Sequence, residues 1–269
     1  MPPLREVIAR HGLDARRSLG QHFLLDGNLT ARIVRLAGDL AGRHVIEVGP
    51  GPGGLTRPLL ASPAESVTVV EIDPRAVAAM RELEAASGGR LRVGEADARR
   101  LDLADLVPAP RLIVANLPYN VASPLLVGWL RQAGRFERFT LMFQQEVTER
   151  ICAAPGTPEY GRLAVLAQWI CRTALVLRIP PAAFVPPPQV FSAVADLVPH
   201  PAQPDAALFA QMERLTAAAF GQRRKMLRSA LKQLGGEALL GTVGIESDRR
   251  GETLSVAEFD RLARALPSA

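Results

Sequence analysis

His44–Thr56 reads HVIEVGPGPGGLT. An apolar run of strand type ends at Glu47-Val48, and Gly49, Gly51, Gly53 and Gly54 follow at once. Glycine permits a tight turn and lets a ligand approach backbone amides ahead of a helix. Nicotinamide, flavin and S-adenosylmethionine enzymes all use loops of this kind. Two details separate them here. The dinucleotide fingerprint seats a pyrophosphate with a spaced third glycine, whereas Pro50 and Pro52 stiffen this loop. Glu47 puts a carboxylate where a pyrophosphate would be repelled, and a ligand with a cationic amino group suits that acid better. The loop therefore favours S-adenosylmethionine.

The flanking sequence repeats the pattern. Val67–Asp73, Leu91–Asp97, Leu112–Ala115 and Phe139–Phe143 are short, apolar and rich in β-branched residues, as strands covered on both faces are. Leu55–Leu60, Arg75–Ala86, Ser123–Ala133 and Glu146–Ala153 read as helices between them, with Pro74 placed for a first turn. This alternation predicts an α/β Rossmann-like fold with a doubly wound parallel sheet. Ala174–Ile179 and Val190–Leu197 are later strand candidates. The Pro-rich Val198–Pro204 reads as a linker. Only helical patterns follow: Asp205–Phe220, Arg223–Leu234 and Val256–Leu266, the last behind Ser255 with Glu258 three residues on. The division expected is a body over residues 1–200, with 1–43 as a basic helical N-terminal extension, and a small helical domain over 201–269.

Acids stand at consecutive strand ends. Glu71 lies about 20 residues beyond the glycines, where an acid can accept both ribose hydroxyls. Strand alternation points Glu71 and Asp73 the same way and Ile72 the other, and Asp73 before Pro74 reads more simply as a helix cap. Asp97 could accept from the amino group of the cofactor adenine. Each acid taken alone reads equally well as a cap or a surface charge; the set at successive strand ends does not.

After the fourth strand comes Asn116-Leu117-Pro118-Tyr119, where an open α/β sheet places its active site. The N6 amine of adenine is a poor nucleophile because its lone pair is delocalised into the ring. Two acceptors for its N–H groups favour the pyramidal, nucleophilic form. The Asn116 side-chain oxygen and a backbone carbonyl at Leu117 or Pro118 could supply them, and Tyr119 offers a face for the base. Positioning and electrostatics then carry the catalysis, without a general base. The plainer alternative is a turn after a strand, with Tyr119 as a core aromatic.

Thirty-two basic residues against 27 acidic give +5. Residues 1–43 carry +3, residues 44–200 carry 0 and residues 201–269 carry +2. Phe220–Lys232 alone holds Arg223, Arg224, Lys225, Arg228 and Lys232 and no acid. A neutral middle with basic ends suits a body that grips a polyanion from its flanks, or a solvated helix face. Cys152 and Cys171 lack metal-ligand spacing, and the four histidines are dispersed, so no metal is expected. The cysteines read as reduced thiols of a cytoplasmic protein. The charged MPPLREVIARHG start is no signal peptide, and the longest apolar stretch, Leu163–Leu177, is too short and too interrupted to span a membrane.

The chain resembles the bacterial small-subunit (16S) ribosomal RNA adenine N6-dimethyltransferases, the KsgA/RsmA family. Eight blocks carry the resemblance: SLGQHFLLD (18–26), 47–56, 71–73, NLPYNVAS (116–123), QQEVTER (144–150), PGTPEYGRLAVLAQ (155–168), FVPPPQVFSAV (184–194) and FGQRRKMLRSAL (220–231). It implies a class I S-adenosylmethionine-dependent methyltransferase. Its substrate would be two adjacent adenines near the 3′ end of 16S rRNA in the assembling small ribosomal subunit, and the enzyme would act as a monomer. Gln21, His22 and Phe23 would lie beside the methionine part of the cofactor, with Glu47, Gly49 and Gly51 around it. Glu71 would bind ribose; Asp97 and Ala98 would hold adenine. Asn116, Leu117, Pro118 and Tyr119 would hold the target base, with Asn116 also at the cofactor. Phe184 would stack on the other face of that base, and the basic helix at Arg223–Lys232 would meet RNA phosphates. Gln189, Phe191, Gly221 and Met226 depart from the family's more usual Lys, Asp, Asn and Thr. Rival readings are a resistance methylase acting on large-subunit RNA, a DNA adenine methyltransferase and a non-catalytic assembly factor.

Overall fold

The glycine loop leaves an interior strand, third from one edge, of a seven-stranded sheet. The computed structural model describes residues 1–13, 22–222 and 224–267. In chain order the strands are β1 (Phe23–Leu24), β2 (His44–Val48), β3 (Ser66–Glu71), β4 (Leu91–Glu95), β5 (Arg111–Asn116), β6 (Arg138–Gln144), β7 (Cys171–Ile179), β8 (Phe184–Val185) and β9 (Ser192–Pro199). The large sheet runs β4-β3-β2-β5-β6-β9-β7. Strands β2 to β6 pair parallel throughout. Val45, Ile46, Ile113 and Val114 are fully buried, which accounts for the unbroken apolar runs of the central strands. From β2 the chain builds outward to β3 and β4, then returns past β2 to lay down β5 and β6. Strand order thus reverses between β2 and β5, and the carboxyl ends of that pair flank the crevice where such sheets bind ligands.

The sheet is mixed rather than wholly parallel as expected. β9 runs antiparallel to β6, with Gln144 opposite Ser192. β7 and β9 are neighbours, and the chain between them holds a 3₁₀ turn and β8 but no crossover helix. β8 pairs antiparallel with β1, setting Phe23 against Val185 and Leu24 against Phe184. This two-stranded sheet has no periodic signal in the sequence.

The helices are α1 (Leu4–Arg10), α2 (Gly27–Leu36), α3 (Thr56–Leu60), α4 (Pro74–Ala85), α5 (Ala122–Leu130), α6 (Gln145–Ile151), α7 (Arg162–Ile170), α8 (Ala206–Gly221), α9 (Leu227–Ala230), α10 (Gly236–Thr242) and α11 (Val256–Ala265). None of the described helices is long and apolar enough to cross a membrane. Asp26 caps α2 by accepting from the Asn28 N–H at 2.8 Å, so part of the N-terminal extension is helical as read. Asp73 caps α4 ahead of Pro74.

The chain falls into two compact units. The first takes in Met1–Gly128, Arg135–Thr148 and Ala174–Val198; the second takes in Trp129–Gly134, Glu149–Thr173 and the chain from Pro199 onward. The division is therefore not a single cut at residue 200. Helix α7 joins the C-terminal helices because its apolar face, Ala164, Val165, Ala167 and Ile170, is wholly buried. Its Trp169 indole donates to Asp260 of α11 at 2.9 Å, and Tyr160, also fully buried, donates to the Leu254 carbonyl at 2.9 Å.

The single helix expected over 223–234 is corrected to separate pieces. Arg224 and Lys225 lie on a turn, Arg228 on the four-residue α9, and Lys232 on a 3₁₀ turn ended by Gly235 at φ +110°. The Leu227 and Arg228 N–H groups donate to the Arg249 and Ser247 carbonyls, at 2.7 and 3.0 Å, so no helical bond closes there. Arg223 lies outside the described residues.

Helix α11 opens with the expected capping box. Ser255 Oγ accepts from the Glu258 N–H at 3.2 Å, and Glu258 accepts from the Ser255 N–H at 2.7 Å. Arg249 bonds the same carboxylate and holds Glu258 down at about 2. A depressed carboxyl pKa stabilises the fold above the unfolded value and loses that contribution as pH falls through the folded one. Gln can keep the capping-box bond but loses the charge that faces Arg249, so Glu258→Gln is expected to cost up to about 1 kcal/mol at neutral pH. Thermal unfolding should show the gap closing from about pH 4.5 towards pH 2, and a gap unchanged at low pH would contradict this.

Candidate active site

Four strand ends converge on one cavity of about 260 Å³. Its wall includes His22 and Phe23 of β1 and its approach, Glu47 of β2 with Gly49 and Gly51 beyond it, and Glu71 at the end of β3 with Ile72 beyond it. Asp97, Ala98 and Arg99 follow β4, and Asn116 closes β5 ahead of Leu117, Pro118 and Tyr119. Twelve of the sequence-expected site residues therefore line a single space. Gln21 lies outside the described residues, and Phe184 does not line the cavity.

Gly49, Gly51 and Gly53 have φ of +71°, +54° and +89°, which L side chains rarely adopt. The loop also lies tight against β1. A Cβ at Gly51 would come within 3.0 Å of the Phe23 ring, and one at Gly54 within 2.4 Å of the Leu24 carbonyl oxygen. The loop is thus a backbone cradle with no room for a side chain at Gly51 or Gly54.

Glu71 locks the cradle. One carboxylate oxygen accepts from the Ile72 and Asp73 N–H groups at 2.7 and 2.9 Å, and the other from Gly51 at 3.3 Å. Burial raises its pKa while these backbone bonds oppose the rise. Because β3 ends at Glu71, alternation stops there, and Glu71 and Asp73 do not point alike as expected. Asp73 turns to Arg75, 2.7 Å away, whereas Ile72, 54% exposed, lines the cavity. Sequence reading missed Ile72; an apolar residue between two acids just past a strand end was its signal.

Glu47 is buried at the carboxyl end of β2, where Thr56 Oγ1 donates to it at 2.7 Å. Burial pushes its carboxyl up to about 8. Asp97 behaves oppositely: Arg99 bonds it through side chain and backbone, with an ion-pair distance of 2.6 Å, and holds it at about 2. Asp97 also caps a 3₁₀ turn, so the cap reading and the cavity reading of this acid coexist.

On the β5 side, Asn116 Nδ2 donates to the His22 carbonyl at 3.3 Å. Only the amino end of an amide can face a carbonyl oxygen, so Asn116 Oδ1 is turned away from His22. The Pro118 carbonyl accepts from the Val121 N–H at 3.1 Å. Tyr119 Oη and Ser192 Oγ are 2.6 Å apart, and Ser192 is fully buried. Ser192, on β9, was also missed; a lone hydroxyl opening the apolar Ala193–Ala195 run was its signal. The His22 ring stacks on Tyr119, with centroids 5.4 Å apart and planes 29° apart. Phe184, 2% exposed, meets His22 edge-on at 6.5 Å and 81°. Among the described residues, no group of His, Cys, Asp and Glu could hold a metal ion.

The arrangement joins two compartments. One is a cradle with two buried acids, which suits a ligand bringing a cation to Glu47 and hydroxyl donors to Glu71. The other is a turn whose Asn116 amide oxygen and Tyr119 ring suit a planar base bearing an amine.

Residues 12–267 match the family model described as ribosomal RNA adenine dimethylase. The ribosomal RNA small subunit methyltransferase A of Gluconobacter oxydans is 64% identical over 263 residues, 98% of this chain and 87% of that protein. Its namesake from Paramagnetospirillum magneticum is 56% identical over 99% of this chain and 95% of its own length. A solved dimethyladenosine transferase from Plasmodium falciparum superposes with a TM-score of 0.78 at 25% identity, covering 90% of this chain and 96% of that one. The solved 23S rRNA methyltransferase ErmE superposes with a TM-score of 0.67 at 27% identity, covering 91% and 99%.

Proposed function

Because the chain belongs to the ribosomal RNA adenine dimethylase family, we propose that it dimethylates N6 of two adjacent adenines near the 3′ end of 16S rRNA. It is an S-adenosylmethionine-dependent methyltransferase acting on ribosomal RNA. The observation that carries the finer reading is one cavity shared by the Asn116–Tyr119 turn and the acid-lined glycine cradle. The names of the small-subunit relatives support that subunit as substrate. The protein would act in the cytoplasm as a monomer, on the assembling subunit and without a metal.

S-adenosylmethionine bound in the cradle supplies an electrophilic methyl group. His22, Phe23, Glu47, Gly49 and Gly51 would hold its methionine part, Glu71 its ribose, and Asp97 and Ala98 its adenine. The target base must leave its stack to reach Tyr119. Asn116 Oδ1 would accept one N6–H. The Leu117 carbonyl is the better second acceptor, since Val121 already engages that of Pro118. Arg224, Lys225, Arg228 and Lys232 would contact phosphates, with Arg223 beside them in sequence.

Mass mapping of methylated adenines, with each ribosomal subunit offered separately, tests the reading; methylation of the large subunit alone would overturn it. Asn116→Ala is expected to keep cofactor and RNA affinity and to slow methyl transfer by about 100-fold or more, the scale set by removing one transition-state hydrogen bond. At neutral pH Glu47 is mostly protonated, because its pKa lies near 8. A cation beside it favours the carboxylate, so cofactor binding should release a proton. Calorimetry in buffers of different ionisation enthalpy should detect the release, and its persistence in Glu47→Gln would remove Glu47 from this role. Replacing Arg224, Lys225 and Arg228 with Glu should flatten the salt dependence of RNA binding, by about 0.7–0.9 in log–log slope for each phosphate that is no longer neutralised.

A further inference from the structure

Asp97 and Arg99 both stand on the cavity wall, and there they hold each other. The Arg99 backbone N–H donates to Asp97 Oδ1 at 3.0 Å. Arg99 Nε donates to Oδ1 at 3.0 Å and to Oδ2 at 3.1 Å, and Nη2 donates to Oδ2 at 2.6 Å. A carboxylate offers about four lone-pair sites, so these contacts leave Asp97 no spare acceptor. The two ends of the pair differ. The Asp97 side chain is 17% exposed and that of Arg99 56%. Arg99 has no other hydrogen-bond or ion-pair partner among the described residues. Its backbone bond belongs to the 3₁₀ turn that Asp97 caps. Its side-chain fork is an exposed ion pair, which is a weak tie.

We infer that Arg99 is a displaceable latch on Asp97: its guanidinium fills the acceptor sites that the amino group of the cofactor adenine needs, and it swings off when the cofactor binds. The inference rests on the reading of Asp97 as the acceptor for that amino group. With no site spare on Asp97, an incoming N–H must replace a bond to the guanidinium. The Arg99 backbone N–H stays in place and keeps the carboxylate aimed. S-adenosylmethionine and its demethylated product carry the same adenine, so the latch loosens the grip on both. Placing two methyl groups on each of two adenines requires repeated exchange of spent cofactor for fresh, and a looser grip on the adenine end shortens each exchange. Arg99 is thus a positioning residue that acts through Asp97.

The test is calorimetric binding of three ligands to the unaltered protein and to Arg99→Ala. The ligands are S-adenosylmethionine, S-adenosylhomocysteine, and an analogue of the latter whose purine carries hydrogen in place of the amino group. Alanine keeps the backbone bond to Asp97. Without the guanidinium the Asp97 carboxyl returns towards its ordinary value of about 3.9, and it is still ionised at neutral pH. Arg99→Ala should bind the two natural ligands more tightly, by up to about fivefold, the scale of an exposed ion pair. The analogue should bind both proteins alike, so that loss of the amino group costs more affinity in Arg99→Ala than in the unaltered protein. An equal gain for the analogue would assign the effect to the charge of Arg99 alone. Weaker binding of the natural ligands by Arg99→Ala would make Arg99 a holder of the adenine. Either result overturns the inference. If loss of the amino group costs nothing in either protein, the reading of Asp97 as the adenine acceptor falls, and the latch falls with it.

Discussion

The site depends on the carboxylate of Glu71 and the three N–H groups that it gathers. Two belong to Ile72 and Asp73, just past the strand, and one to Gly51, across the crevice. Backbone donors in a loop of positive-φ glycines have few natural partners, and a buried carboxylate needs several. Each solves the other's problem. The end of β3 is thereby tied to the loop that follows β2, and the cradle keeps its shape without any polar side chain of its own. Phe23 and Leu24 close it from the other side at contact distance. This is why the short pairing of β1 with β8 matters out of proportion to its length.

The reversal of strand order between β2 and β5 brings that cradle beside Asn116-Leu117-Pro118-Tyr119. Neither half is specific alone, since glycine loops and N-x-P-Y turns have bland readings. Their meeting in one cavity narrows the chemistry to an amine presented to a cationic cofactor. Glu47 near 8 and Asp97 near 2 show how differently two acids on one wall are set, the first by burial and the second by Arg99.

The body of this architecture was legible because its signals are local. The apolar runs of β2 and β5, the acid closing β3, Asp73 before Pro74 and the Ser255–Glu258 box each act over a few residues. What escaped depends on distant contacts. Helix α7 joins the C-terminal helices through Trp169 and its buried face, and no spacing rule announces that choice. The splitting of the helix expected over 223–234 follows from carbonyls at 247 and 249 that capture the N–H groups of Leu227 and Arg228. Ser192 becomes informative only when β9 brings it to Tyr119. The placement of Phe184 behind His22 likewise follows from the register of β1 against β8.

The Asn116 amide has a consequence for how the reaction ends. Its amino end faces His22, so what it offers an incoming base is one acceptor, and a backbone carbonyl offers another. On the proposed reading, an unmodified adenine would fill both with its two N6 hydrogens. Each methyl added would replace a hydrogen, so the grip would weaken by one bond per transfer, and the finished product would have none left to donate. A site built from acceptors alone would thus count its own turnovers and let go after the second.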